Sequence, residues 1–439
     1  MNRSASFALM TVAFGASAAL AELPAPMTDA DYVSVDPAEA RLGQLLFYDP
    51  ILSGNRNISC ASCHHPSLGT SDGLSLGLGE GAAGLGVKRH VTLENTPEQR
   101  IPRNSPALFN LGAKQFTTLF HDGRIGVDPT RPSGLRTPME EEMVTGFASI
   151  LSAQTMFPVL SGDEMAGQYS ENDVAKAVRS GRITGAGGAW DVISKRIEAI
   201  PAYAETFSAI YPDIGAGRPI AFTDLSNAIA AFIEFEWRSD SSPFDAWLRG
   251  TGEISAQAKA GAAYFYGEGG CASCHSGALQ TDHGFHAMGA PQIGPGKAER
   301  FEKHSRDEGR GRVTGRAEDR FAFRTPSLRN VVVTGPWGHA GAHQDLAQFL
   351  RDHAEPKAGL ARFQRAILPD LPNTKPDWVV MEDPAQVAEI AAAAPMGAPL
   401  SEAHLSELLA FLDTLTDRAA LNGRLGIPDS VPSGLPVER

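Results

Sequence analysis

Two copies of one pentapeptide restrict this chain more than any other feature. Cys60-Ala61-Ser62-Cys63-His64 recurs as Cys271-Ala272-Ser273-Cys274-His275, and these four cysteines are the only ones among 439 residues. A C-x-x-C-H run is the attachment signature of c-type haem, in which two thiols bond to the porphyrin and the following His lies under the iron. Four thiolates could instead hold a structural zinc, or each pair could cycle as a redox dithiol. Neither alternative accounts for a His directly after each pair, nor for the long stretch between the pairs. The pattern predicts two covalently bound haem c groups, one on Cys60, Cys63 and His64, the other on Cys271, Cys274 and His275.

The length allows two or three domains, and 42% apolar with 20% charged residues is the balance of a globular chain with a sizeable core. A net charge of −13 argues against nucleic acid or an anionic membrane surface as partner. It would suit a basic redox protein. Residues 1–21 read as a cleaved secretory signal: Arg3 supplies the basic start, Phe7 to Leu20 is apolar and small, and Ala19-Leu20-Ala21 offers small residues for cleavage before Glu22. No other segment has about eighteen apolar residues in succession, so no membrane span is expected. Export agrees with haem c, which is attached outside the cytoplasm.

The remaining pattern is mainly helix and long loop. Asp36-Pro37 opens a helix through Phe47, with Pro in its first turn. Helical spacing recurs over 172–180, 190–200 and 222–237, and over 401–415, where Ser401 is the expected N-cap. Val331-Val332-Val333 reads as a short strand. Gly43 and Phe47 precede the first haem motif as Gly261 and Phe265 precede the second, a weak internal repeat. Gly69 to Gly86 is Gly-rich; no Lys-Ser/Thr follows it, so a phosphate loop is rejected in favour of close wrapping around a flat porphyrin. The Lys297 to Arg324 stretch reads as a solvated charged loop, with some Arg free to pair with haem propionates. The expected division is two pseudo-duplicated haem domains, residues 22–215 and 216–439.

Four further stretches carry a family resemblance. They are Arg103-Asn104-Ser105-Pro106, Phe120-His121-Asp122-Gly123-Arg124, Arg324-Thr325-Pro326-Ser327-Leu328-Arg329-Asn330 and Thr334-Gly335-Pro336-Trp337-Gly338-His339. In order and placement the chain resembles the bacterial di-haem cytochrome c peroxidase and MauG-type superfamily. The resemblance implies two cytochrome-c-like helical domains, an N-terminal peroxidatic and a C-terminal electron-transfer one. It implies a calcium ion between them, with Asn104, Thr334 and Pro336 as ligands. It also implies Gln154 and Glu164 on the open face of the first haem. There a carboxylate can take a proton from one peroxide oxygen and return it to the other, while an amide holds peroxide or water.

The chain departs from the family pattern in three places. Many members close the first haem with a His in the Gly-rich loop; here that position falls on Leu78, Gly79 and Glu80, and His65 and His90 are poor substitutes. A five-coordinate first haem, active without prior reduction, is therefore expected. The second haem takes Met or Tyr as sixth ligand in relatives; counting on from His339 gives His353, with Met288, His343, Met381 and Met396 as alternatives. A Trp between the haems is replaced by His121, which leaves Trp337 as an alternative for the electron path and equally as a core aromatic. The implied protein is a periplasmic di-haem peroxidase that reduces hydrogen peroxide with electrons from a small c-type cytochrome or cupredoxin. Relatives are often homodimers. A MauG-like oxidase of a protein or small molecule is the rival within the fold, and a non-catalytic di-haem electron carrier the rival outside it.

Overall fold

The computed structural model describes residues 23–168, 171–297, 304–372 and 377–439. The secretory segment expected at 1–21 lies outside the described residues. What is described is helix joined by long loops, with strands of only two or three residues. Ala82–Ala83 pairs with His90–Val91, Ile125–Val127 lies between Thr118–Leu119 and Leu135–Arg136, and Phe285–His286 pairs with Phe323–Arg324. No described helix is long and apolar enough to cross a membrane.

Helix starts follow their local chemistry. Asp36 accepts from the Ala38 N–H ahead of the Pro37–Tyr48 helix, Asn172 caps Asp173–Arg179 through Ala175, and Ser401 caps Glu402–Asp413 through His404. The helix expected over 190–200 is present as Ala189–Glu198, and a separate Pro201–Ile210 helix follows, because Pro201 has no N–H to continue the first ladder but fits a first turn. One expectation needs correction. Val331–Val333 is a 3-10 turn, not a strand. Asn330 before it is left-handed, with φ 62°. Its side chain is tied to Ser239 and to the Asp417 N–H, so the chain turns despite three β-branched residues.

Two helix crossings organise the molecule. Pro37–Tyr48 packs on Phe222–Glu236, and Ala256–Tyr266 packs on Glu402–Asp413. Each crossing is made at a glycine. A Cβ on Gly43 would stand 1.7 Å from the Ala228 carbonyl oxygen, and one on Gly261 would stand 2.0 Å from that of Glu407. Aromatic rings lock both pairs one turn further on, Phe47 against Phe232 at 5.2 Å and Phe265 against Phe411 at 5.1 Å. The first core also receives Cys60 and Cys63; the second receives Cys271 and Ala272.

Packing does not follow the 22–215 and 216–439 division. The Phe222–Glu236 helix belongs to the first core, and residues 417–439 return to it as well, placing Ala420 and Val431 there. The buried Glu236 carboxylate accepts the N–H groups of Arg424, Leu425 and Gly426. Ser433 donates to Asp49, and Ser62 within the first haem motif donates to Glu438. Sequence order hides this, because both ends of the chain contribute to one core.

Gly43→Ala and Gly261→Ala should each destabilise the fold by about 1–3 kcal/mol or more, since the added methyl meets backbone that cannot yield. Thermal unfolding of the two variants, followed by circular dichroism, should show both midpoints clearly lowered.

Candidate active site

Both haem motifs adopt the same turn. The His64 N–H donates to the Cys60 carbonyl and the His275 N–H to the Cys271 carbonyl, each at 3.0 Å. The two imidazoles are held alike, with Nδ1 at 3.0 Å from the Thr70 carbonyl oxygen for His64 and from that of Gln280 for His275. That contact makes Nδ1 the protonated nitrogen and leaves Nε2 as the metal-binding one. Burial lowers both imidazole pKa values, which favours the neutral form a metal needs. Burial also pushes the Cys60 and Cys63 thiols up to about 12 and that of Cys271 up to about 11. These are not poised thiolates. The four cysteines are free and do not converge; the one metal-like cluster among the described residues is Cys274, Asp282 and His286. A shared zinc site is thereby excluded.

An imidazole stands across from His275. His353, on the Leu346–Ala354 helix, has its ring centroid 6.2 Å from that of His275. Two imidazoles bound to one iron stand about 6 Å apart, from metal–nitrogen bonds of about 2 Å and the ring radius. Phe349 stacks on His353 at 5.3 Å. Burial, with His275 next, pushes the His353 pKa down to about 4, so this ring is neutral too. The alternatives fare worse. His343 directs Nε2 at Asp352, 3.0 Å away, Met396 is 73% exposed, and Met381 lies against the apolar cluster of Phe321, Leu360 and Val380.

The surroundings of the first motif differ. The Gly-rich loop is a packed wall. Leu76 and Leu78 are fully buried, and Leu76 packs with Ile293, Ala340 and Ala342. The buried Arg89 guanidinium donates to the carbonyls of Leu78, Gly79, Ala82 and Gly84. Glu164 sits opposite, in a π-helical turn Gly162–Ala166, a form frequent at functional sites. A Cβ on Gly79 would stand 2.0 Å from the Asp163 carbonyl oxygen, so only glycine lets the loop lie flush on this turn. Gln154, on the Ile150–Thr155 helix, has a buried amide oxygen with no partner. Met156 and Met165, beside Gln154 and Glu164, enter the core that contacts Cys60 and Cys63, and the charge of Glu164 reaches the Cys63 thiol. His65 is buried and bonded to Ser67 rather than solvated, while His90 is exposed and bonded to the Lys88 carbonyl.

Cations gather near Glu164. Burial pushes Lys297 down to about 8, with Arg124 acting in the same direction and Glu164 against it. Arg124 pairs with Asp122 at 3.0 Å. Asp122 in turn pairs with Arg103, which also holds Asp307, each at 2.7 Å. Burial opposes the charge on Asp122, but Arg103 and Arg124 outweigh it and hold the carboxyl well below its usual range. His121 lies in this basic surrounding; burial, then Arg103, His339 and Arg324, keeps it neutral. Within the charged 297–324 stretch, residues 298–303 are outside the described residues. Arg306, Arg316 and Arg320 have carboxylate partners. The Arg324 guanidinium donates to the Phe120 and Thr325 carbonyls, and burial pushes it down to about 10.

The calcium candidates converge in part. The Asn104 amide nitrogen is 3.0 Å from the Pro336 carbonyl oxygen, and its own oxygen is buried without a partner. Turning the amide over brings two oxygens together, as a hard cation requires. The Thr334 hydroxyl donates to the Val331 carbonyl; the atom expected from Thr334, as from Pro336, is its backbone carbonyl oxygen. Near the first motif, Asp72 and Arg89 are residues that local sequence gave no reason to single out; their only signal is charge in a stretch that is otherwise Gly-rich and apolar. Glu80 was marked only as the place of a missing His, and Lys297 only as the start of a charged loop.

The chain belongs to the di-haem cytochrome c peroxidase family, whose model matches residues 37–253. Methylamine utilization protein MauG of Methylorubrum extorquens is 32% identical over 321 residues, covering 72% of this chain and 68% of that protein. Cytochrome c551 peroxidase of Pseudomonas aeruginosa is 27% identical, covering 75% and 76%. Among solved structures, the diheme peroxidase BthA of Burkholderia thailandensis superposes with a TM-score of 0.58 at 20% identity, over 96% of this chain and 97% of the other. A MauG-like protein associated with microbial copper homeostasis gives 0.57 at 24%, over 93% and 97%. The chain is an oxidoreductase of this family, and the family implies two haem c groups.

Two outcomes follow. His353→Ala should turn a low-spin ferric haem signal into a high-spin one in the EPR spectrum. Asp72, 1% exposed, has its carboxyl pushed up to about 7 by burial, from an ordinary 3.8. A raised carboxyl pKa gives stability that is complete below 3.8 and lost as pH rises through about 7. Asp72→Asn cannot titrate, so its melting temperature should gain on the parent between those values and run parallel above them.

Proposed function

We propose that this protein is a periplasmic di-haem peroxidase whose first haem is open to hydrogen peroxide and whose second is closed by His353. The observation that carries the reading is the contrast between the two faces. Opposite His275 stands an imidazole at metal-bridging separation. Around the first motif stand a carboxylate, an unpartnered amide and cations, beside a Gly-rich wall that contains no His. The proposed domains are cytochrome-c-like, the first comprising residues 22–237 with 417–439 and the second residues 242–416.

Cys60, Cys63 and His64 would hold one haem and Cys271, Cys274, His275 and His353 the other. Bound haem supplies a redox-active Lewis acid for peroxide and a store for electrons. The chain's own residues then have defined tasks. The Glu164 carboxylate takes the proton from the inner peroxide oxygen and returns it to the outer one, so that water can leave. Gln154 directs its amide at the bound peroxide or a water. Arg124 and Lys297 set the field around Glu164. Asn104, Thr334 and Pro336 would hold calcium between the halves. Electrons come from a small c-type cytochrome or cupredoxin, and a net charge of −13 favours a basic face on that donor. Association as a homodimer is part of the same reading.

A MauG-like oxidation of a protein or small molecule is the second reading. It is supported by the 32% identity to MauG and by Leu78, Gly79 and Glu80 in the loop. Turnover of peroxide with reduced cytochrome c or cupredoxin as sole reductant separates the two.

Ferric protein should give one high-spin and one low-spin EPR signal; two low-spin signals would sink the open face. Mixing oxidised protein with peroxide in a stopped-flow cell should change the Soret band rapidly without prior reduction. Glu164→Gln should slow that change about 10²-fold or more, and an unaltered rate would remove Glu164 from the proton transfer.

A further inference from the structure

The turn that carries Glu164 is poorly held by its own backbone. The N–H groups of Glu164, Met165 and Ala166 all converge on one carbonyl, that of Ser161. Its position must come from elsewhere. Glu80, 1% exposed, lies directly behind it. The Glu80 N–H donates to the Glu164 carbonyl at 3.0 Å. Its side-chain Oε1 accepts from three amides, those of Asn55 at 2.8 Å, Asn57 at 2.9 Å and Asn95 at 2.7 Å. Its Oε2 is buried with no partner.

Two of these amides pass the connection on to the far end of the turn. The Asn55 oxygen accepts from Asn172, which also donates to the carbonyl of Ala166, the last residue of the turn. The Asn95 oxygen accepts from Gln168, which follows the turn by two residues. The amide oxygens of Asn55 and Asn95 thus face away from Glu80. The arrangement is a carboxyl group held by donors, not a ring of oxygens for a cation. A buried side chain fixed by three hydrogen bonds in one network has little freedom to move.

We infer that Glu80 is a positioning residue: it ties the Gly-rich loop to both ends of the Glu164 turn and fixes where the Glu164 carboxylate stands. The inference deepens the peroxidase reading and rests on Glu164 as the proton-transfer group. Glu80 meets no reacting atom. It acts through the turn, so its loss moves a carboxylate that remains present and titratable.

The test compares the ferric holoprotein with Glu80→Ala and Glu80→Gln. Glu80→Ala should slow the peroxide-driven Soret change about tenfold to a hundredfold, the cost of misplacing a reacting group by about an ångström. Amide hydrogen exchange over 161–168 should rise in the same variant. The pH midpoint of the rate should stay that of the parent, and the low-spin EPR signal of the second haem should not move. Glu80→Gln keeps one acceptor oxygen and should recover part of both losses. Unchanged rate and unchanged exchange in Glu80→Ala would overturn the inference. So would a shifted pH midpoint, which would make Glu80 the titrating group itself. If Glu80→Ala does not load both haems, Asn95→Ala removes a single amide and should show the same two changes in smaller measure; unchanged rate and exchange there would equally overturn the inference. A parent protein inert to peroxide would defeat the peroxidase reading alone, because hydrogen exchange still reports whether Glu80 holds the turn.

Discussion

Two helices that touch backbone to backbone set the geometry of each half. Gly43 brings the Pro37–Tyr48 helix onto Ala228, and Gly261 brings the Ala256–Tyr266 helix onto Glu407. A side chain at either point would push the helices apart and pull Phe47 or Phe265 out of its ring contact. Each haem motif lies in the loop that leaves the first helix of its pair. The position of the attachment turn relative to the core therefore depends on an atom that is absent, the glycine Cβ.

Once the anchors are alike, difference has to come from what faces them. Helical structure supplies the group opposite His275: His353 is held on a regular helix and stacked on Phe349. Irregular structure supplies the surroundings of the first motif, a π-helical turn laid against a Gly-rich wall. In the proposed reading, a ligand that must stay on its metal suits a rigid helix, and a proton carrier that must meet a diffusing molecule suits a turn whose position is adjusted by its neighbours.

Local chemistry was legible in the sequence. The haem motifs, the caps at Asp36, Asn172 and Ser401, and the paired glycines can be read directly because each acts over a few residues. The helix end just before Pro201 was legible as well; the separate Pro201–Ile210 helix beyond it was not singled out. The turn at Val331–Val333 was missed because Asn330 is bound from Ser239 and Asp417, far away in the chain. The make-up of the first core was not legible for the same reason, since it is assembled from distant segments. At the candidate site, Glu164 and Gln154 came from family resemblance and not from spacing. Glu80 was visible only as the place of a missing His; the amides that bind it come from Asn55, Asn57 and Asn95, and no periodicity links those positions.

Residues 417–439 close over the first core, from Glu236 to Ser62. Synthesis runs from the other end, so the segment bearing Cys60 and Cys63 emerges long before the residues that complete its surroundings. Contacts so distant in sequence form late. The first attachment site thus has a built-in interval in which its thiols are reachable by whatever ligates the haem, and the interval ends only when almost the whole chain has been delivered. The second site, enclosed by helices much closer in sequence, has a shorter one. Order of emergence and order of closure are opposite for the two haems.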